Sequence, residues 1–470
     1  MRTQHYEVVI VGGSPSAAAI AALLAKRGVR GLIIDQGEHL PGFVDLSFLE
    51  PRSAAHDALV LAAGLAHDVE RDRRTIKPAH IQVVYPDRRI ELSPDRGMLG
   101  REATRRLGAE APVQIDALLE RLESVEPETS SYLAEADELP PPGFFARKKA
   151  LTIAKKWARA VGDARPWSVE AGMIGEALTG FMPFLTHRDP LKDLRLPTLG
   201  WARLAGRVLR GLIPFGVTRS LRDKLLEQAE RAGFERYKGE LTELDPSTKP
   251  LRFNVGKDSL STDILVDGTG DLGALRVISK NSKALDEILV AARPRGRLHA
   301  IGIELDRSVV PPALGDHALL LNGRRDTRAS EAEDRPILLI AQKAGDPTRA
   351  RFIAAHPVTN AEPARLEQVM RHRLERLIPF LSEGHPVIGP AQLRPHPLFD
   401  GTLDPYSGVA GVSFRTPYKH VYAAGPAILP GLGAEGEHLA ALMVTEEVLE
   451  RLGKTQRAKT LTEQLTTLPR

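Results

Sequence analysis

The opening of the chain admits few folds. Glu7-Val8-Val9-Ile10-Val11 is a short apolar run, followed by the small-residue turn Gly12-Gly13-Ser14-Pro15-Ser16-Ala17 and an Ala/Leu-rich stretch that closes on Lys26-Arg27-Gly28. Such a run is expected of a strand buried on both faces. A basic last turn followed by glycine stops a helix, because the cations meet its negative end and glycine takes the left-handed angle that ends it. A second apolar run, Gly31-Leu32-Ile33-Ile34-Asp35, then finishes in an acid. The order predicts a βαβ unit whose helix N-terminus can hold a pyrophosphate and whose Asp35 can accept from a ribose hydroxyl.

Against the dinucleotide signature G-x-G-x-x-G, the turn supplies Gly12, Ser14 and Ala17. Alanine in the third place still allows close helix–strand packing. Serine in the second is a departure: if its backbone angle is positive, a side chain there costs about 1–2 kcal/mol. A hydroxyl donating to a phosphate oxygen would recover some of that cost. Two readings stay open on these residues: a bound nucleotide, or a nucleotide-type fold kept as scaffold.

A second glycine-rich turn stands near the other end. His420-Val421-Tyr422-Ala423-Ala424-Gly425 reads as a strand ending in small residues. Pro426-Ala427-Ile428-Leu429-Pro430-Gly431-Leu432-Gly433-Ala434-Glu435-Gly436 follows, and then a helix over 437–452. In flavoproteins such a loop turns backbone amides and a positive helix end toward the flavin pyrimidine edge, where negative charge develops on reduction.

Composition narrows the rest. A chain of 470 residues, 42% hydrophobic and 26% charged, implies two or three structural units around a large core and excludes wholesale disorder. With no cysteine there is no disulfide framework, thiolate metal site or catalytic thiol. The 64 Lys+Arg against 60 Asp+Glu leave 64 − 60 = +4, too little to argue for nucleic acid. The fourteen histidines are scattered and no G-x-S-x-G elbow occurs, so neither a metal nor a serine nucleophile is expected. No leader pattern is visible, and the longest clean apolar run, 17–25, is about half of the ~20 residues a membrane-crossing helix needs. The cytoplasm is the expected compartment.

Taken together, the two ends resemble the opening and closing FAD motifs of bacterial phytoene desaturases and related amine-oxidase-type flavoproteins. The segment from Tyr422-Ala423-Ala424-Gly425 through Gly436 is the nearest match, and the middle follows the same order at the level of pattern. A hairpin with the turn Tyr85-Pro86-Asp87-Arg88-Arg89 lies in 77–92, a helix and strand over 221–245 lead back to the nucleotide domain, and Leu265-Val266-Asp267-Gly268-Thr269-Gly270-Asp271 is a strand end. The resemblance implies an α/β fold, a Rossmann-like FAD-binding domain of the GR2 type with an inserted α+β substrate domain. It divides the chain into FAD-binding segments at 1–98, 221–280 and 401–455, a helical region at 99–220, a β-rich region at 281–400 and a tail at 456–470.

The implied cofactor is FAD, held by Gly12, Gly13, Ser14, Pro15, Ser16, Ala17, Asp35, Gly42, Leu241, Gly268, Gly270, Gly425, Pro426, Gly431, Gly433 and Gly436. The implied reaction is hydride transfer between flavin and an apolar, isoprenoid- or lipid-like substrate. Glu435, Glu437 and His438 are candidates for the accompanying proton, although acids at a helix N-terminus and a surface or core histidine have plain structural uses as well. Ser14, Pro41 in Leu40-Pro41-Gly42-Phe43, and Pro426 depart from the family pattern. They motivate the alternative of an inactive FAD-fold protein acting as a lipid-binding or protein-interaction module. Asp35 alone would also suit an NAD-dependent enzyme, but the closing loop has no role there.

Two middle segments mix cations with apolar and aromatic residues. Residues 144–160 carry Arg147, Lys148, Lys149, Lys155, Lys156 and Arg159 among Phe144, Phe145 and Trp157; residues 199–213 carry Arg203, Arg207 and Arg210 beside Trp201, Leu204 and Val208. This pattern fits either an interfacial helix on the inner membrane face or a solvated cationic face over a core stripe. From 297 to 357, alternating apolar stretches predict an antiparallel sheet flooring a substrate cavity, and 363–381 predicts a helix.

Overall fold

The computed structural model describes residues 4–36, 48–49, 54–75, 78–120, 122–123, 145, 148–149, 152, 172–188, 198–214, 221–278, 282–322, 335–359, 363–391, 396–399 and 409–454. In chain order, β1 (Gln4–Val11), α1 (Pro15–Lys26) and β2 (Gly31–Asp35) form the expected βαβ unit. Then come β3 (Phe48–Leu49), α2 (Ala54–Ala63), α3 (Ala66–Thr75), β4 (Ile81–Val84), β5 (Arg89–Leu92), α4 (Arg96–Leu107), α5 (Gly172–Leu185) and α6 (Thr198–Arg210). Next are β6 (Ile213–Pro214), α7 (Leu221–Arg231), β7 (Glu235–Lys238), β8 (Leu241–Asp245), β9 (Leu251–Val255), β10 (Asp258–Asp267) and α8 (Lys283–Ala291). The remainder is β11 (Gly296–Asp306), β12 (His317–Leu320), β13 (Ile337–Gln342), β14 (Arg349–Val358), α9 (Pro363–Glu375), β15 (Val387–Pro390), β16 (Pro397–Leu398), β17 (Val421–Ala423) and α10 (Ala434–Arg451).

Two sheets carry the architecture. In the first, β7, β2, β1 and β10 run parallel in that order, and β17 adds in parallel to the end of β10. The start of β10 pairs with the antiparallel β9, and β9 with β8. Register decides the placing of the site: Val11 faces both Ile34 and Asp267, and Asp267 faces Ala423. The carboxyl ends of four strands therefore lie at one edge, where open α/β sheets bind their ligands.

Helix α1 is apolar all round, and its residues from Ser16 to Ala25 are buried between the sheet, α7 and α10. That is the behaviour of a core helix rather than an amphipathic one. Its alanines keep the neighbours close, while fully buried Ile20 and Leu24 each contribute roughly 1.5–3 kcal/mol of burial.

The second sheet runs β15-β11-β14-β13-β12-β4-β5, with β16 alongside β11. Its four central strands match the alternating stretches of 297–357. Alternation buries both faces: Ile301, Ile303, Phe352 and Ala354 pack under α9 with Met370 and Leu374, while Leu319, Leu338, Ile353 and Ala355 join the main core. One boundary moves. The hairpin β4–β5, placed by sequence in the FAD-binding segment 1–98, pairs into this second sheet through the parallel register of Val83 with Leu319. A hairpin's free edge needs a partner strand, and its own sequence does not name which one.

Candidate functional site

Each glycine turn is fixed by backbone chemistry. Gly12 has φ +97°, and a Cβ on it would lie 2.7 Å from the Thr269 amide nitrogen and 2.8 Å from the Gly268 carbonyl. Only glycine fits. Gly268 donates its N–H to the Val11 carbonyl at 2.7 Å, and a Cβ on it would stand 2.5 Å from that of Ala17. Gly425, at φ +107°, comes to the same place from the far end of the chain. Its Cβ position lies 3.3 Å from the Thr269 carbonyl, 3.8 Å from the Ser14 hydroxyl and 4.0 Å from Gly270 Cα. The two turns, some four hundred residues apart in sequence, are neighbours.

Ser14 sits at φ −59°, ψ 160°, so the cost foreseen for a positive angle does not arise. It is the N-cap of α1: its hydroxyl accepts from the Ala17 N–H at 3.2 Å, and Pro15 follows at the first helical position, where no N–H is needed. No acid stands in the first turn of α1, which suits an anion there. Asp35, at the end of β2, is buried, and its Oδ2 accepts from Arg236 Nη2 at 2.7 Å and Nε at 3.2 Å. The sequence reading missed Arg236, which comes from β7. Gly239 N–H donates to the Asp35 carbonyl at 3.1 Å, carrying the chain across the end of β2 to buried Leu241 in β8. Gly42 lies outside the described residues.

At the closing turn every residue from 421 to 433 is buried, Pro426 and Gly431 included. Gly433, at φ +58°, packs directly on the Leu185 carbonyl, and Gly436 on that of Leu429, so neither can carry a side chain. The His187 N–H donates to the Pro430 carbonyl at 3.0 Å, lacing the end of α5 over this turn.

The first turn of α10 holds the charged groups. Glu435 is buried and takes a bidentate pair from Arg203, Nη2 to Oε1 at 2.6 Å and Nε to Oε2 at 2.9 Å, together with Arg207. Burial alone would raise its pKa, but the charges and hydrogen bonds of the two arginines outweigh that and hold its carboxyl well below the usual range. It remains an ion and does not take up a proton near neutral pH. The same contact turns Arg203 and Arg207 of α6 inward, where both are buried. Their i, i+4 spacing was legible in sequence; the acid they meet, 232 and 228 residues on, was not.

Glu437 reaches across to α1, where the Ser16 hydroxyl donates within 3.1 Å of its carbonyl and 3.3 Å of its Oε2. Its Oε1 lies 3.3 Å from His187 Nε2, a residue the sequence reading passed over. His438 is buried beside His56, ring centroids 5.3 Å apart, and its Nδ1 has no hydrogen-bond partner. Burial lowers its pKa to about 4, so it is a neutral imidazole. Asp267, fully buried, accepts from the Thr269 N–H and the Leu275 N–H at 2.9 Å each and from the Thr269 hydroxyl at 2.5 Å, tying the β10 turn to the strand.

The arrangement would suit the adenosine diphosphate moiety of FAD: a helix whose own first turn carries no acid offers N–H donors, and a buried carboxylate at the end of β2 offers an acceptor. At the start of α10 the chain brings its own acids, Glu435 and Glu437, to the helix dipole. Among the described residues no helix is long and apolar enough to cross a membrane.

No protein-family model and no curated protein sequence matches the chain. Solved structures do. A putrescine oxidase triple mutant, from a redesign of cofactor binding, aligns over 96% of this chain and 100% of its own at 13% identity and TM-score 0.58. Cyclohexylamine oxidase from Brevibacterium oxydans aligns over 95% and 99% at 14% identity and TM-score 0.53. An oxidoreductase from Methanosarcina mazei aligns over 93% and 99% at 13% identity and TM-score 0.57. At such identity the likeness is one of architecture: the chain shares the Rossmann-like α/β fold of these oxidases.

Proposed function

We propose that the chain is a flavin-dependent oxidoreductase holding FAD between the β1–α1 turn and the β17–α10 turn. The observation that carries this reading is the meeting of the two turns, with Ser14 of one beside Gly425 of the other. When bound, the flavin would supply hydride acceptance or donation. The chain's own residues bind and orient. The first turn of α1 would hold the pyrophosphate, and Asp35, braced by Arg236, would accept from the ribose. The bidentate Arg203–Glu435 pair fixes the start of α10. Of the three candidate proton groups, Glu435 is committed to its arginines, whereas His438 is neutral with an open ring nitrogen. The test is an absorbance spectrum of the purified protein before and after FAD is supplied, with mass spectrometry of whatever co-purifies. A protein that retains no flavin absorbance after incubation with saturating FAD and removal of the free cofactor overturns the reading.

The finer proposal is an apolar, isoprenoid- or lipid-like substrate, supported by the resemblance of the closing segment to that of phytoene desaturases. Peripheral membrane contact, if made, falls to 144–160, since α6 turns two of its arginines inward; most of that segment lies outside the described residues. Liposome flotation that survives Lys148→Glu, Lys149→Glu, Lys155→Glu and Lys156→Glu together counts against it.

A second reading, a flavin-free scaffold that binds lipid or protein, is favoured by the way the chain satisfies its own groups. The Ser14 hydroxyl caps α1, and the Leu185 carbonyl lies on Gly433. The same absorbance test separates the two.

A further inference from the structure

His187, just past α5, makes two contacts that together fix a proton. Its Nδ1 lies 3.1 Å from the Pro397 carbonyl, which can only accept, so Nδ1 carries a hydrogen. In a neutral ring Nε2 would then offer a lone pair, yet it faces Glu437 Oε1 at 3.3 Å. A lone pair against a carboxylate repels. The contact is satisfied when one more proton lies between them, on the ring nitrogen or on the carboxyl. Both side chains are buried, at 7% and 5% exposure, so bulk solvent screens the contact little.

We propose that His187 and Glu437 together hold one buried proton, and that this proton keeps the dinucleotide site receptive to an anion. The link to the site is Ser16. Its hydroxyl meets Glu437, and it sits in the first turn of α1, where a pyrophosphate would lie. Without the proton, a bare carboxylate stands one hydrogen bond from that phosphate position and opposes it. The inference rests on the FAD reading and makes His187 a positioning residue.

The charged and titratable neighbours leave the proton with this pair. His396 stacks on His187 at 4.2 Å, and its Nε2 donates to the carbonyls of Pro183 and Thr186, 3.0 and 2.9 Å away. Burial, with His187 nearby, lowers its pKa to about 3, so it stays neutral. On α10, Glu435 is held by Arg203 and Arg207, and His438 is neutral, with the ring of His56 on α2 against it.

The variant is Glu437→Gln, whose amide donates to His187 Nε2 and accepts from Ser16 without needing the proton. FAD and ADP are titrated calorimetrically at one pH into the wild type, Glu437→Gln, His187→Gln and the double variant. Glu437→Gln is expected to keep wild-type affinity; His187→Gln, which gives Glu437 a neutral donor and leaves it an anion, to lose about tenfold; and the double variant to regain it. Wild-type affinity in His187→Gln overturns the proposal. If neither probe binds any of them, the FAD reading fails, and nitrogen-15 spectra of the His187 ring with carbon-13 spectra of Glu437 in the free wild type decide. A neutral ring protonated only at Nδ1 beside an ionised carboxylate overturns it; a second ring proton or a protonated carboxyl supports it.

Discussion

Replacing Glu435 by glutamine keeps the shape of the α10 start but removes its charge. In the native chain the side chains of Glu435, Arg203 and Arg207 are 2%, 3% and 7% exposed, so solvent screens little of their interaction. Breaking a buried pair by removing one partner costs about 3–5 kcal/mol, because an uncompensated charge stays behind. Here two guanidinium groups lose their shared carboxylate, placing the variant toward the upper end. At about 2.1 cal/mol/K of unfolding entropy per residue, a chain of 470 residues melting as one unit shifts by roughly 1 °C per kcal/mol. The expected fall in Tm is therefore about 3–5 °C, with a matching fall in urea stability.

The pH dependence has a definite sign. Because the folded pKa of Glu435 is depressed below the ordinary 4.5, its contribution is fully present above that value and is lost as pH falls through the folded pKa. The gap between wild type and Glu435→Gln should be constant at neutral pH and shrink below about pH 4.5. A triple replacement by apolar residues, Arg203→Met, Arg207→Met and Glu435→Leu, should restore most of the stability. A Glu435→Gln protein within about 1 kcal/mol of wild type at neutral pH refutes the reasoning.

Further substitutions test other joints of the site. Ser14→Ala should cost about 1 kcal/mol through loss of the α1 cap and Ser14→Gly only a few tenths, both read by urea unfolding. Gly12→Ala should destabilise by more than about 1–2 kcal/mol, since a positive φ and a backbone clash combine, and a soluble variant of unchanged Tm would contradict the turn geometry. Burial raises the Asp267 carboxyl to about 7 against the donors from Thr269 and Leu275, so the folded state holds that proton more tightly than the unfolded chain does. Stability should fall as pH rises from 3.8 toward about 7, and Asp267→Asn should remove that slope in a pH series of unfolding curves. His438 has the opposite sign: depressed from 6.5 to about 4, it should cost stability as pH falls across that window, and His438→Asn should abolish the effect.

Much of this fold was legible in the sequence because its signals are local. An apolar run, a glycine turn and an alanine-rich stretch specify β1–α1–β2 through rules that act over a few residues, and the alternation of 297–357 specifies strands in the same way. The hairpin β4–β5 was found as a hairpin, yet its partner β12 was not, since register with a distant strand leaves no mark on either sequence. Charge placement was the least readable layer. Arg203 and Arg207 look alike on paper whether they face a membrane, water or Glu435, and only packing of α6 on the start of α10 decides among these. His187, Arg236 and Glu437 likewise acquire their roles from neighbours some two hundred residues away or more. The sequence by itself determined which backbone turns exist, because glycine and helix-cap chemistry is short-ranged. Tertiary structure alone decided which buried charges meet, because a buried ion's state is set by whatever surrounds it in space.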